Sequence, residues 1–172
     1  IDSTQGWLVT DDGVQSSADN NPYIVATGGT ETESGNCKIH TFTGPGTFSV
    51  TKTATAAADN VVSHLVVAGG YREVVSPSSP YTGSPLNGYP SAPNRITVTA
   101  TNFPITIGAG GAAGPTTGIA SDGGASIFST ITSAGGGGSA AKNQTARPGG
   151  SGAGGVANPD SPATGNNPPT SP

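Results

Sequence analysis

The chain has 172 residues, of which only 9% are charged while Gly (28) and Pro (15) together supply a quarter, a balance far from that of an ordinary soluble enzyme. Its net charge of −4 includes no basic stripe that could neutralise a phosphate backbone, and no apolar run approaches 18 residues, so neither nucleic-acid binding nor membrane insertion is expected. The single Cys37 excludes an internal disulfide framework.

Low charge with abundant Thr, Ser and Gly suits a β-rich extracellular or particle-associated protein whose surface carries hydroxyls rather than ions. The apolar runs at 61–68, 96–107 and 127–131 argue for a folded domain against the low-complexity reading of the composition. The expected organisation is an N-terminal arm at 1–35, a glycine-rich β domain at 36–155 and a Pro-rich extended tail at 156–172. The fold class is all-β, a small β-sandwich or jelly-roll-like domain with glycine-rich loops.

In chain order, the arm is polar with two apolar islands, Trp7 to Val9 and Tyr23 to Ala26, each followed by a turn signal. Trp7 and Tyr23 are candidate oligomer contacts, because large amphipathic rings anchor interfaces as readily as cores. CKIHTFT, the turn Gly44-Pro45-Gly46 and TFSV then read as a hairpin. Residues 61–68, VVSHLVVA, are apolar on both parities and predict a strand buried on both faces. Residues 71–94 hold five prolines and three of the four tyrosines, which predicts an ordered surface loop.

Strand character returns over 95–107. Ile96, Val98 and Ala100 share one parity and Phe103, Ile105 and Ile107 the other, so a bend or bulge is expected near Thr101-Asn102. Pro104 places this strand at an edge, or at a point where no ladder bond is donated. Ile127, Phe128 and Ile131 mark the last strand or hairpin. Between them, glycine clusters at 108–114, 135–138 and 149–155 demand either positive φ or very close backbone approach.

Reactive constellations are sought without success. Cys37 and His40 fall on opposite faces of a strand, and with His64 they do not make four metal ligands. Gly149 to Ala153 lacks the spacing of a nucleophile elbow, and no helix follows Gly108 to Gly114 to hold a pyrophosphate. Asp11, Asp12 and Asp19 read as solvated turn acids, Asn143-Gln144-Thr145 is formally a glycosylation sequon, and no cofactor is called for.

The succession YIVATGG, KIHTFTGPGTFSV, HLVVAGG, YRE, YPSAPNRITVTATNFPITIGAGG and FSTITSAGGGG, closing with NPPTSP, resembles the glycine-rich domain of structural and tail-fibre-like proteins of marine bacteriophages, especially cyanophages. The resemblance spans residues 23–172. It implies a non-enzymatic virion-surface component, a tail fibre, adhesin or capsid decoration. Such a component forms a homo-oligomer such as a trimer, contacts other virion proteins, and meets a glycan or protein of the host surface. In such sequences a long glycine tract separates LVVAGG from YRE, whereas here Gly69-Gly70 runs directly into Tyr71. That departure argues against a stacked polyglycine platform and for glycines that make turns. Candidate recognition residues are Tyr71, Arg72, Tyr81 and Tyr89, with Thr116, Thr117 and Asp122, since aromatic and polar loop residues together suit carbohydrate. The rival reading is a subunit of an extracellular bacterial filament or surface layer, its arm adding a strand to the next copy.

Overall fold

The structure is a computed structural model and describes residues 22–141, 144–154 and 162–165. Trp7, the three turn acids and Asn143 lie outside the described residues. Nine strands appear among the described residues: β1 (Val25–Thr27), β2 (Thr30–Ser34), β3 (Cys37–Thr41), β4 (Gly46–Lys52), β5 (His64–Val67), β6 (Tyr71–Val74), β7 (Asn102–Thr106), β8 (Ser126–Phe128) and β9 (Ile131–Ser133). Among the described residues helix is confined to two single turns of 3-10 type at Ala57–Asn60 and Ala92–Asn94, so the described fold is all-β as the composition predicts. All strand pairing is antiparallel, in one five-stranded sheet of order β1-β4-β7-β8-β9 and two hairpins, β2-β3 and β5-β6.

Strand periodicity puts the core together. Phe48 and Val50 of β4 alternate inward, as do Phe128 of β8 and Ile131 of β9, and they meet Ala26, Val66 of β5 and the buried Ile96 and Val98. Phe128 is the hub of the rings, with centroids 6.0 Å from Phe48, 6.2 Å from Phe103 and 5.5 Å from His64, each near edge-on. Burying each such side chain contributes about 1.5–3 kcal/mol, and edge-on ring pairs about 0.5–1.5 kcal/mol more. The core therefore lies between the large sheet and a layer formed by β5-β6 and residues 96–98, which reach β5's approach through the Val61↔Thr97 bridge.

Four features depart from the sequence reading or were not announced by it. Gly44-Pro45-Gly46 does not close a hairpin: β3 pairs with β2, and β4 pairs with β1 and β7, so the turn carries the chain from one sheet to another. The polar run TETES, which has no apolar alternation to announce it, is a strand because β3 offers it a partner along its whole length. The run at 61–68 is not buried on both faces. Only His64–Val67 is strand, in a two-stranded hairpin, so Leu65 and Val67 stand 60% and 55% exposed. Pro104 sits in an interior strand, so of its two expectations the edge is set aside and the point outside a ladder holds: it lies one residue outside the β7-β8 ladder, which begins at Ile105↔Phe128. The bend at residues 100–101 is where the alternation changes phase.

The glycine clusters do not act as turns. Residues 107–114 continue β7, residues 119–124 lead into β8 and residues 134–140 leave β9, and these segments bond to one another side by side. The sheet pair Thr106↔Ile127 is followed, three residues on, by Gly124 N–H to Ala109 C=O at 2.8 Å, and three further by Ser121 N–H to Ala112 C=O at 3.0 Å. Likewise Ser126↔Ser133 is followed by Gly123 N–H to Gly136 C=O at 2.9 Å and Ala120 N–H to Ser139 C=O at 2.8 Å. Residues 146–152 repeat the spacing on the far side, with Gly150 N–H to Gly135 C=O at 2.8 Å and Arg147 N–H to Gly138 C=O at 3.0 Å, and residues 162–165 add a last segment. The register of the sheet is thus retained while the bonding period changes from two residues to three, the period of a polyproline II type backbone.

None of the glycines in these segments has positive φ; what they provide is the absence of a Cβ. A Cβ on Gly135 would stand 1.9 Å from Gly123 O, on Gly137 1.9 Å from Arg147 O, and on Gly138 2.0 Å from Ala120 O. Such distances admit no side chain, so backbone packs on backbone. Gly69 and Gly70 join the same stack, since Gly70 N–H donates to Ala134 C=O at 2.7 Å. The short glycine pair ahead of Tyr71 is a contact point of the stack rather than a remnant that excludes one.

A candidate binding cleft beside the glycine stack

The β5-β6 hairpin enters and leaves the stack through Gly69 and Gly70, and this fixes it against β9 at one end and the 86–94 loop at the other. Between them is a cleft of about 630 Å³. Tyr71 and Arg72, two of the residues singled out from sequence, line it together with Glu73, His64, Leu86 and Ser133. Tyr71 is 40% exposed at its rim. Arg72 donates from Nε to Thr132 C=O at 3.2 Å, which pins the guanidinium to β9 and leaves its terminal nitrogens unbonded among the described residues.

Glu73 is tied down from the loop side. Ser84 donates to its carboxylate through the hydroxyl and, at 3.0 Å, through the backbone N–H. These bonds, with help from the Tyr71 hydroxyl, hold the carboxyl below the usual carboxylate range. Asn87 knits the same loop: its Oδ1 accepts from Val75 N–H at 2.9 Å and Tyr89 N–H at 3.1 Å, and Gly88 N–H reaches Glu73 C=O at 2.9 Å. The ordered loop expected over 71–94 is therefore a strand, β6, followed by a loop built back onto it.

His64 forms the inner wall. Its Nδ1 lies 3.3 Å from Val62 C=O, its Nε2 is buried with no partner among the described residues, and burial pushes its pKa below the ordinary 6.5. Ser133, 1% exposed, also leaves its Oγ unpartnered.

The other expected residues fall elsewhere. Tyr81 is 48% exposed and its hydroxyl contacts Ser34 C=O at 3.4 Å; Tyr89 is half-buried beneath the Arg95 guanidinium, 4.8 Å from the ring centroid. Thr116 and Thr117 are exposed at the turn joining the first two stack segments. Asp122 is a staple of the stack: it accepts Gly138 N–H at 2.8 Å and an Arg147 guanidinium N–H at 3.2 Å, bridging three successive segments. Tyr23 is 70% exposed.

The chain matches no known protein family, no curated protein and no solved structure. The chemistry must therefore be read from the cleft itself. Among the described residues Glu73 is the one carboxylate that lines it, and it accepts hydrogen bonds from Ser84. Among the described residues no group of three His, Cys, Asp or Glu is placed to share a metal, and no helix is long and apolar enough to cross a membrane. A ring at the rim, a cation held from one side and a hydrogen-bonded acid suit reversible recognition of a polar ligand with an apolar face. Sequence reading missed His64, Glu73 and Leu86 here. The apolar-polar alternation around them carries no chemical signal until β5 and β6 are paired.

Proposed function

We propose that this chain is a non-enzymatic structural protein of a phage particle, a tail fibre, adhesin or capsid decoration, that self-associates at the virion surface and presents the β5-β6 cleft to a host-surface glycan or protein. The carrying observation is the glycine stack joined in register to a side-chain-packed sheet. Its cohesion comes mainly from backbone hydrogen bonds and backbone contact, with the exposed Asp122–Arg147 ion pair as an added staple, so most of its strength persists in salt that screens surface charges. The quoted motifs shared with phage glycine-rich domains point the same way. The two-layer packing of β5-β6 on the large sheet supports a small sandwich as the organising architecture.

Electron microscopy of the native assembly, paired with cell binding by the purified chain, tests this reading. The expected result is a discrete particle component or fibre, and binding to host cells that falls about tenfold or more on Tyr71→Ala. Open-ended polymers would favour the bacterial filament or surface layer, and binding unchanged by Tyr71→Ala and Arg72→Ala would remove the cleft from the account.

A further inference from the structure

Among the described residues the stack has an unfinished edge at 107–114, at the end opposite the last segment, 162–165. The segments within 119–152 are bonded on two sides, but among the described residues 107–114 meet a neighbour on one side only, where Ala109 and Ala112 carbonyls accept from residues 124 and 121. None of the backbone N–H groups from Ala109 to Gly114 donates a hydrogen bond among the described residues, and residues 109–117 are exposed throughout. Gly108, Gly111 and Gly114, three residues apart, face inward, where a Cβ would lie 2.0, 2.1 and 2.6 Å from the neighbouring backbone. Gly110 differs: a Cβ there would meet nothing within 4 Å, and its φ is not positive. Neither sterics nor backbone conformation among the described residues requires glycine at that position.

We infer that the edge at 107–114 is a docking surface for the same edge of a second copy of this chain, with the two extended segments running antiparallel across a twofold axis. The inference rests on the self-associating role proposed above and names the surface that performs it. The contact continues a bonding pattern that the chain already repeats internally between antiparallel glycine segments, so a second copy of this edge supplies the matching period and the matching lack of side chains. An edge with unpaired amides accepts a further extended chain, and an isologous pairing uses one surface twice. Glycine at 110 then has a cause: it lets the partner backbone approach as Gly135 lets Gly123 approach.

Sedimentation velocity of the full chain over a wide concentration range tests this, comparing the wild type with Gly110→Val and Gly154→Val. Gly154, like Gly110, has nothing within 4 Å of a built Cβ, but it follows the 146–152 segment rather than the open edge. The expected result is a wild-type dimer whose dissociation constant rises about tenfold or more in Gly110→Val and is unchanged in Gly154→Val. Dimers equally tight in Gly110→Val, or equally weakened in Gly154→Val, would overturn the edge while leaving self-association intact; a wild type monomeric at every concentration would overturn both. Deuterium exchange of the wild type needs no variant: slowing of the amides from Ala109 to Gly114 with rising concentration supports the pairing, and exchange independent of concentration contradicts it.

Discussion

The sheet half and the glycine half of this molecule share strands, order and register, yet they hold together by opposite means. Around Phe128 the backbones are kept apart by interlocking rings, and removal of apolar surface from water supplies the cohesion. A few residues further along the same strands, beyond Ile107 and Ala134, glycines face the neighbouring segments and the backbones close on one another. Strand order is thus established by the side-chain core and continued by a region whose packing faces are mostly bare backbone, with Asp122 as a side-chain staple. A glycine stack alone would have little to fix its register, because the pairing of bare backbones is degenerate.

Substitutions placed in the two halves should fail for different reasons. The largest effect is expected for Gly135→Val, whose Cβ would fall 1.9 Å from the Gly123 carbonyl oxygen; a loss of about 4 kcal/mol or more in chemical denaturation is expected, against about zero for Gly110→Val. Phe128→Ala removes the hub of the rings and should cost about 3–5 kcal/mol by cavity formation. Equal tolerance of Gly135→Val and Gly110→Val would erase the distinction between the halves.

A smaller effect separates them by pH. His64 belongs to the side-chain half, and its folded pKa is depressed by burial, so the unfolded chain takes up a proton first as pH falls below about 6.5. Stability is therefore full above that value and declines as pH drops towards the folded pKa. Glu73, also depressed, adds a second decline at lower pH, when its carboxylate is protonated. His64→Phe keeps a ring against Phe128 and removes the unpartnered Nε2; it should stabilise by about 1 kcal/mol at neutral pH and abolish the upper part of the acid decline. Melting curves between pH 8 and pH 4 would show whether that part remains.

Much of the sheet half was legible from sequence, for physical reasons. Alternation announces β4, the phase change near Thr101-Asn102 announces the bend before β7, and the run around Phe128 announces β8 and β9. What was not legible is pairing. Gly44-Pro45-Gly46 has the composition of a hairpin turn but links two sheets, and TETES becomes a strand through its partner alone. The exposure of Leu65 and Val67 follows from β5 lying in a two-stranded hairpin, which parity cannot show. Glycine content leaves two readings, positive φ or close approach, and the structure selects close approach over turns. The three-residue spacing of Gly108, Gly111 and Gly114, repeated by Gly135 and Gly138 and by Gly149 and Gly152, was the available signal. Of the candidate site, Tyr71 and Arg72 were found as an aromatic beside a cation, while Asp122 proved to be a staple and Tyr89 a packing partner of Arg95.

Residue-resolved amide hydrogen exchange on dilute protein tests the central claim most directly. A backbone-bonded stack predicts that Gly123, Gly124 and Gly150 exchange as slowly as strand amides of β7 to β9, while Gly110 and Gly111 exchange at nearly the rate of an open chain. Uniformly fast exchange through all of these glycines would contradict it.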